Sequence, residues 1–586
     1  MRFLKKLITK IKNGEIKEIL AELSWIYSYG LKYKWSILWY IILGIFGVVM
    51  SYGASVLSKY IIDAVTGRDS GMLIPLGVFY VAMQIAKIAI SAVTNRVSAK
   101  INLKVDLEIR SDIYRKIMDA DWEEMSKYHS GDLLNRIDND VSIVSSSVLG
   151  WMPNFITAVF RFVGALGIIL YYDRILAVIS LISAPVMLLI SRTTMRKMRE
   201  YIKKSRDAST GVMVFNEESF HNLQVIKSFG ITDFYKEKLE SVQENYKEVQ
   251  LLHNKFSIKN STIMSATGMA VATFCFMWAV YRLWSGDITY GTMTLFLQMS
   301  ATLSAAFTNL VRTIPSAISS ATAAGRVMAV AELPKENRDD DEKAQQMLND
   351  SRTEGITVRS FEMGFVYSDE KRVFRNVDFV AGPHEIIAVV GSSGGGKTTM
   401  LRLILGIVHP KEGGIEICSS QGEKLPVSAS TRCMFAYVPQ ENTLLAGTVA
   451  DNLRLLNRDA TDEEIYEALR IACADDFIKN LPSGINTPVY EKGTGFSEGQ
   501  IQRLSIARAI LADVPVLLFD EATSALDPET EKKLLKNIVE SEKGRTCIIT
   551  THRPGVLGIC NRVYRIKDGE MKNENAEDVR REMIGL

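Results

Sequence analysis

The sequence is poor in cysteine, and the few it has are scattered. Cys275, Cys418, Cys433, Cys473, Cys547 and Cys560 form no CxxC pair and no ligand-spaced cluster, so a cysteine framework has no basis in the spacing. A surplus of one charge is also missing. Formal net charge is +2, which asks for no nucleic-acid partner, and none is expected. A cleavable leader is not expected either, because MRFLKKLITKIK carries lysines without a sufficient apolar core. What the first half lacks most is charge within its apolar runs.

No charged side chain lies between Lys34 and Lys59, and a stretch of that length crosses a hydrocarbon core. Five further candidates follow at about 71–95, 148–172, 175–191, 261–284 and 288–311. The connections near 67–70, 172–174 and 285–287 are short, whereas 96–147 and 192–258 are long, charged and helical in pattern. Their Lys and Arg content puts the long connections and the N-terminus on the cytoplasmic side. A soluble helical bundle would not carry six such stretches. The hairpins turn near 118–130 and 218–229, tens of ångströms below the membrane at ~1.5 Å per residue, where their tips can touch another domain. Ahead of the first span, Ile16, Ile19, Leu20 and Leu23 recur at helical spacing in a basic segment, as an interfacial helix requires.

At 586 residues the chain exceeds what one core organises. A small-residue helix runs to Glu332, Pro334 breaks it, and the acidic stretch 337–343 reads as a linker. The expected domains are an amphipathic segment over 1–35, a six-helix membrane domain over 36–330, a linker over 331–354, and a soluble α/β domain over 355–586.

The soluble part is organised around 391–399, GSSGGGKTT, which fits G-x-x-x-x-G-K-[ST] with Gly391, Gly396, Lys397 and Thr398. An apolar strand-like run precedes it and a helical pattern follows, the context a phosphate-binding loop requires. A glycine-rich linker would not sit between a strand and a helix with lysine in register. Gly391, Ser392, Ser393, Gly394, Gly395 and Gly396 turn the backbone so that its N–H groups face the phosphates, together with Lys397, Thr398 and Thr399. ATP with Mg²⁺ is the expected ligand, and the Thr398 hydroxyl a metal contact. Asp520 closes the apolar run 514–519, where a carboxylate at a strand's C-terminal edge can organise Mg²⁺ through water. Glu521 follows and can act as general base. Gln440, after Tyr437-Val438-Pro439, can add a metal or water contact, and His552 a bond to the γ-phosphate. Such a domain meets ATP in the cytosol, so its thiols are expected reduced.

These residues carry a resemblance to the ATP-binding cassette family, and the full chain resembles an exporter half-transporter. Tyr367 matches the aromatic that stacks on adenine, Gln440 the Q-loop, Asp520 and Glu521 the Walker B pair, residues 524–527 the D-loop, and His552 the switch histidine. TPVYEKG at 487–493 resembles the exporter X-loop, with Glu491 at its acidic position. Phe496-Ser497-Glu498-Gly499-Gln500 stands where the signature LSGGQ belongs, with Phe for Leu and Glu498 for the first Gly. The resemblance implies that Ser497, Gly499 and Gln500 meet a nucleotide held by a second chain. It implies a dimer, a homodimer ahead of a heterodimer, in the bacterial plasma membrane with its nucleotide domains cytoplasmic. Regions 131–140 and 218–229 resemble the two coupling-helix regions, which carry nucleotide-driven closure to the membrane helices. The implied activity is ATP-driven export; an exporter-fold importer of a small metallophore and an ATP-gated channel are the alternatives. Cleavage of a substrate by this chain is not expected. Lys87, Arg161 and Arg312 lie within or beside candidate spans, where charges usually face a cavity or a partner. Gln84, Gln298, Phe155, Phe296 and Phe307 are expected to share that cavity. An amphipathic cargo with an acidic or strongly polar group follows from this set.

Overall fold

The computed structural model describes residues 15–67, 70–351, 354–367, 372–441, 444–490, 493–540 and 545–584. The chain forms two compact units: Met1–Arg115 with His129–Glu332, and Lys116–Tyr128 with Leu333–Leu586.

The first unit is helical. Its elements are α1 (Glu15–Leu31), α2 (Lys34–Thr66) and α3 (Ser70–Met118), then, beyond the short α4 (Trp122–Met125), α5 (Ser130–Asn135), α6 (Val141–Gly150) and α7 (Met152–Tyr172). It continues with α8 (Arg174–His221), α9 (Leu223–Ser228), α10 (Thr232–Trp284) and α11 (Tyr290–Ala331). Among the described residues, Lys34–Thr66, Gly71–Met118, Ser130–Tyr172 and Thr232–Trp284 are long and apolar enough to cross a membrane. The remaining two expected spans fall in α8 and α11, continuous helices of 48 and 42 residues.

Polar side chains pin these helices at their ends. Asp173 caps α8 by accepting from the amides of Ile175 and Leu176 at 2.8 and 3.0 Å, and it pairs with Arg282 at 3.1 Å. Asp63 accepts from the Gly291 amide at 2.9 Å and from the Thr289 hydroxyl at 3.0 Å, which fixes the start of α11. A π-helical segment at Arg136–Asp140 leads into α6, and its buried Asp140 accepts from Arg326 Nε at 2.8 Å. The core of this unit gathers Ala165, Ile169, Leu176, Met299 and Leu303 around Phe296. Phe296 is 1% exposed and packs edge-on against Tyr172. It is therefore a core residue, contrary to the expectation that it lines a cavity.

The second unit is built on two sheets. A six-stranded sheet has the order β12-β11-β3-β10-β9-β6, and a four-stranded antiparallel sheet has the order β2-β1-β4-β5. Their strands are β1 (Ile356–Val366), β2 (Arg372–Ala381), β3 (Ile386–Gly391), β4 (Glu412–Ser419), β5 (Lys424–Pro426), β6 (Phe435–Val438), β9 (Val516–Asp520), β10 (Thr546–Thr550), β11 (Arg562–Lys567) and β12 (Glu570–Glu574). A small antiparallel pair is formed by β7 (Gly447–Thr448) and β8 (Pro488–Val489). In the larger sheet β3, β9 and β10 are buried along their length apart from Gly391 at the tip of β3, as parallel strands covered on both faces must be.

Two features of this unit depart from the linear reading. The stretch read as a linker contains a helix, α12 (Asp341–Asp350), whose Ala344, Met347 and Leu348 are buried in the core. Its acidic residues form the first turn, where negative charge stabilises a helix. The second departure is the tip of the first hairpin. Residues 119–121 pair with 334–336: the Asp121 amide donates to the Pro334 carbonyl at 2.8 Å, and the Glu336 amide to the Asp119 carbonyl at 3.0 Å. Asp121 also meets His409 at 3.1 Å, and Glu123 meets Lys411 at 3.1 Å. The part of the hairpin that docks here is thus 116–128, while 131–140 stays with the helices.

None of the six cysteines is in a disulfide, and burial pushes the Cys547 and Cys560 thiols up to about 12.

Candidate functional site

The phosphate loop leaves β3 and enters α13 (Lys397–Ile404). Gly394 and Gly396 have φ of +76° and +108°, a region that side chains other than glycine enter at a cost. A Cβ on Gly396 would also come within 2.8 Å of Val373 Cγ1. The amides of Gly394, Gly396, Lys397 and Thr398 donate to no protein group among the described residues. They converge at a helix N-terminus, which is an anion site by geometry. Lys397 is 8% exposed; its ammonium donates to the Gly391 carbonyl at 3.1 Å and lies 3.2 Å from Glu521 Oε1.

Three parallel strands deliver the acidic side of the cleft. Asp520, at the end of β9, is 1% exposed and stands in register with Thr550 on β10. The Thr550 hydroxyl donates to Asp520 Oδ1 at 2.8 Å. From the other flank, Tyr437 on β6 donates its hydroxyl to Asp520 Oδ2 at 3.1 Å. Burial first, and then the Asp520 charge, push the Tyr437 phenol well above its ordinary range, so it remains a donor. Glu521 comes next with φ of +48°, a strained conformation for a non-glycine residue that turns its carboxylate off the strand line. Its amide donates to the Thr550 hydroxyl at 3.0 Å. Gln440 Nε2 donates to Glu521 Oε2 at 3.2 Å, and His552 Nδ1 lies 3.5 Å from the same oxygen. One carboxylate therefore gathers Lys397, Gln440 and His552.

Tyr367 follows β1, and its hydroxyl is 3.1 Å from the Thr399 hydroxyl, which sets the ring beside α13. Ser392 and Ser393 are exposed on the loop, and Thr398 is half-buried beside Lys397. The site fits a magnesium triphosphate: free amides and an ammonium for the phosphates, and a hydroxyl with a buried carboxylate for the metal. A hollow of 690 Å³ adjoins the loop, lined by Ser392, Gly394, Gly395, Arg372, Arg565 and Lys567.

Ser497, Gly499 and Gln500 lie elsewhere, at the start of the helix Glu498–Leu511. Ser497 caps it: its hydroxyl accepts from the Gln500 amide, and Gln500 Oε1 accepts from the Ser497 amide at 2.8 Å. Among the described residues none of the three bonds to this chain's own phosphate loop. Glu498 is exposed as the first helical residue. Behind it, Gln502 donates to the Ser524 hydroxyl at 3.0 Å and accepts from the Ala525 amide at 3.0 Å, tying this helix to the loop after Glu521. Glu491 lies outside the described residues.

Of the cavity candidates, Arg161 and Lys87 are exposed on α7 and α3, Lys87 within 3.3 Å of the Ser51 hydroxyl. Gln84 donates to Tyr80 at 2.9 Å, and the Arg312 side chain lies outside the described residues. Tyr437 and Thr550 were absent from the sequence expectations for the site. Their only linear signal is a polar residue at the mouth end of a buried strand.

Comparison with known proteins matches residues 37–307 to the family model described as ABC transporter transmembrane region and residues 374–524 to that described as ABC transporter. A multidrug resistance ABC transporter ATP-binding and permease protein of Lactococcus lactis subsp. lactis is 26% identical over 84% of this chain and 82% of that protein. An ATP-dependent lipid A-core flippase of Syntrophus aciditrophicus is 29% identical over 82% and 78%. Among solved structures, a bacterial Atm1-family ABC exporter with ATP bound aligns with a TM-score of 0.81 at 19% identity, over 94% of this chain and 98% of that one.

Proposed function

Because this chain belongs to the ABC transporters, with the membrane region and the ATPase domain fused in one multi-pass polypeptide, we propose that it exports an amphipathic substrate by alternating access. ATP hydrolysis coupled to transport is the activity the family carries; the cargo and the residue roles are our reading. The observation that carries this reading is the convergence of Lys397, Gln440 and His552 on Glu521, beside the free amides of the phosphate loop.

An incoming triphosphate competes with Glu521 for Lys397. Once the ammonium turns to the phosphates, the Glu521 carboxylate is free to take a proton from water held by Gln440, and His552 faces the γ-phosphate. Tyr367 stacks on the base. Bound Mg²⁺, held by Thr398 and, through water, by Asp520 and Gln440, would neutralise charge on the phosphates. Ser497, Gly499 and Gln500 complete the site of a second chain. A homodimer is the favoured assembly, since this chain carries every group that both sites need. Glu498 lies at the positive end of its helix, where it weakens the field offered to a neighbouring nucleotide.

The cargo is read from Arg161 and Lys87, exposed cations on apolar helices. They suit a peptide, a lipid-like molecule or a drug with an anionic group. The relatives named for multidrug resistance and for lipid A-core flipping lend weight to an amphiphile.

The test uses the chain expressed alone. Its mass in detergent should be that of a pair, and in inverted vesicles ATP should drive accumulation of anionic amphiphiles. Depletion instead of filling points to import. An ion current that persists without turnover points to a channel.

A further inference from the structure

A cavity of 180 Å³ lies where α1, the beginning of α2 and the α6–α7 junction meet. Its wall is apolar, with Ile26, Leu31, Ile37, Ile41, Val148 and Trp151 among the lining side chains. Gly30 forms part of it and faces Val148 on α6: a Cβ there would lie 3.4 Å from Val148 Cγ1.

The charges around this cavity are divided between two sides. On the α3 side three polar side chains reach carboxylates. Lys32 donates to Glu108 at 2.5 Å, Tyr33 to the same carboxylate at 2.6 Å, and Tyr29 to Asp112 at 2.6 Å. Lys34, two residues on, lines the cavity and is exposed, with no carboxylate partner among the described residues. It is also the last charge before the uncharged run that ends at Lys59. Trp35 and Trp39, exposed just beyond it, are the residue type that gathers where headgroups meet acyl chains. An apolar hollow at that depth, with a lysine at its mouth that has no carboxylate partner among the described residues, is complementary to a molecule with a long apolar tail and a single anionic head.

We propose that this cavity holds the headgroup-proximal segment of one acyl chain of an anionic glycerophospholipid whose phosphate pairs with Lys34. The surrounding leaflet supplies the ligand. The bound chain wedges α1 against α6 and α7, and the headgroup stays at the surface, where a lysine near an anionic lipid contributes most.

The test reconstitutes the full-length protein in phosphatidylcholine nanodiscs doped with phosphatidylglycerol that carries a photoreactive acyl chain. Adducts should concentrate on peptides covering 26–41 and 148–153. Unlabelled phosphatidylglycerol should compete about fivefold better than phosphatidylcholine, the preference one lysine confers. Lys34→Gln should abolish that preference, and Ile41→Trp should fill the hollow and remove the adducts while detergent ATPase persists. Because the competition arm uses the unmodified protein, it decides the matter even if a variant misfolds. Equal competition by the two lipids, or adducts spread evenly over lipid-facing helices, identifies annular lipid only and overturns the proposal. Displacement of the probe by millimolar inorganic phosphate would reduce the site to a free-anion contact and overturn it as well.

Discussion

The two units of this chain differ in where their largest aromatic side chains gather. In the nucleotide unit Phe365, Phe374, Phe379 and Phe519 are sealed in the core, while in the helical unit Trp35, Phe79, Tyr171 and Trp284 stand on the outside. The first surface meets water and the second meets lipid, so the same physics yields inverted exteriors. The lesson concerns where information sits. In water, burial fixes which strand lies beside which, and the strands aim Asp520, Glu521 and His552. In lipid, exposure loses its meaning, and the specific statements are polar: Asp63 on the start of α11, Asp173 with Arg282, Asp140 with Arg326.

If that contrast holds, single atoms should matter most in the nucleotide unit. Glu521→Gln should cut ATP turnover by at least ~100-fold while ATP still binds, because an amide cannot take the proton. Lys397→Ala should instead weaken nucleotide binding itself. Turnover and equilibrium binding of a fluorescent ATP analogue separate the two, and wild-type turnover by Glu521→Gln would break the assignment of the base. A smaller effect sharpens the comparison within the same sheet. Tyr437→Phe removes the donor to Asp520 Oδ2 and should weaken apparent metal affinity about fivefold, the size of one ordinary hydrogen bond. Binding of Mn²⁺ with nucleotide, followed by electron paramagnetic resonance, should move while metal-free ATP binding stays put. The smallest effect is expected from the membrane side. Arg161→Ala should lower stimulation of ATPase by anionic amphiphiles roughly twofold to threefold, within the range of one solvated ion pair, and leave cationic ones unaffected. A preference for cations in the wild-type protein would sink the anionic-cargo reading.

The same contrast explains what could be read in advance. The phosphate loop was legible because its chemistry demands residue types at fixed spacing, and the strand and helix around it follow from short-range pattern. Tyr437 and Thr550 were not, because they reach Asp520 across parallel strands whose register depends on segments far apart in sequence. The helix Asp341–Asp350 hid behind its own acidic first turn, and its buried face, Ala344, Met347 and Leu348, is short. Phe296 looked like a pore residue from its place in a span, yet helix rotation decides which way a side chain faces, and here it points into the core. For the helical unit, four of the expected spans fall in helices long and apolar enough to cross a membrane among the described residues, but hydropathy could not orient them.

The pairing of 119–121 with 334–336 makes the nucleotide unit discontinuous in sequence, and this has a consequence for synthesis. The ribosome produces Ala120 and Asp121 roughly two hundred residues before Lys335 and nearly three hundred before His409, a delay on the order of 10–60 s at typical elongation rates. During that time the hairpin tip has no surface to rest on. A nascent chain must keep it out of trouble until the C-terminal part emerges, and the tip then docks as a late step. By the same token, a fragment cut at Leu333 omits a native piece of the unit it is meant to represent.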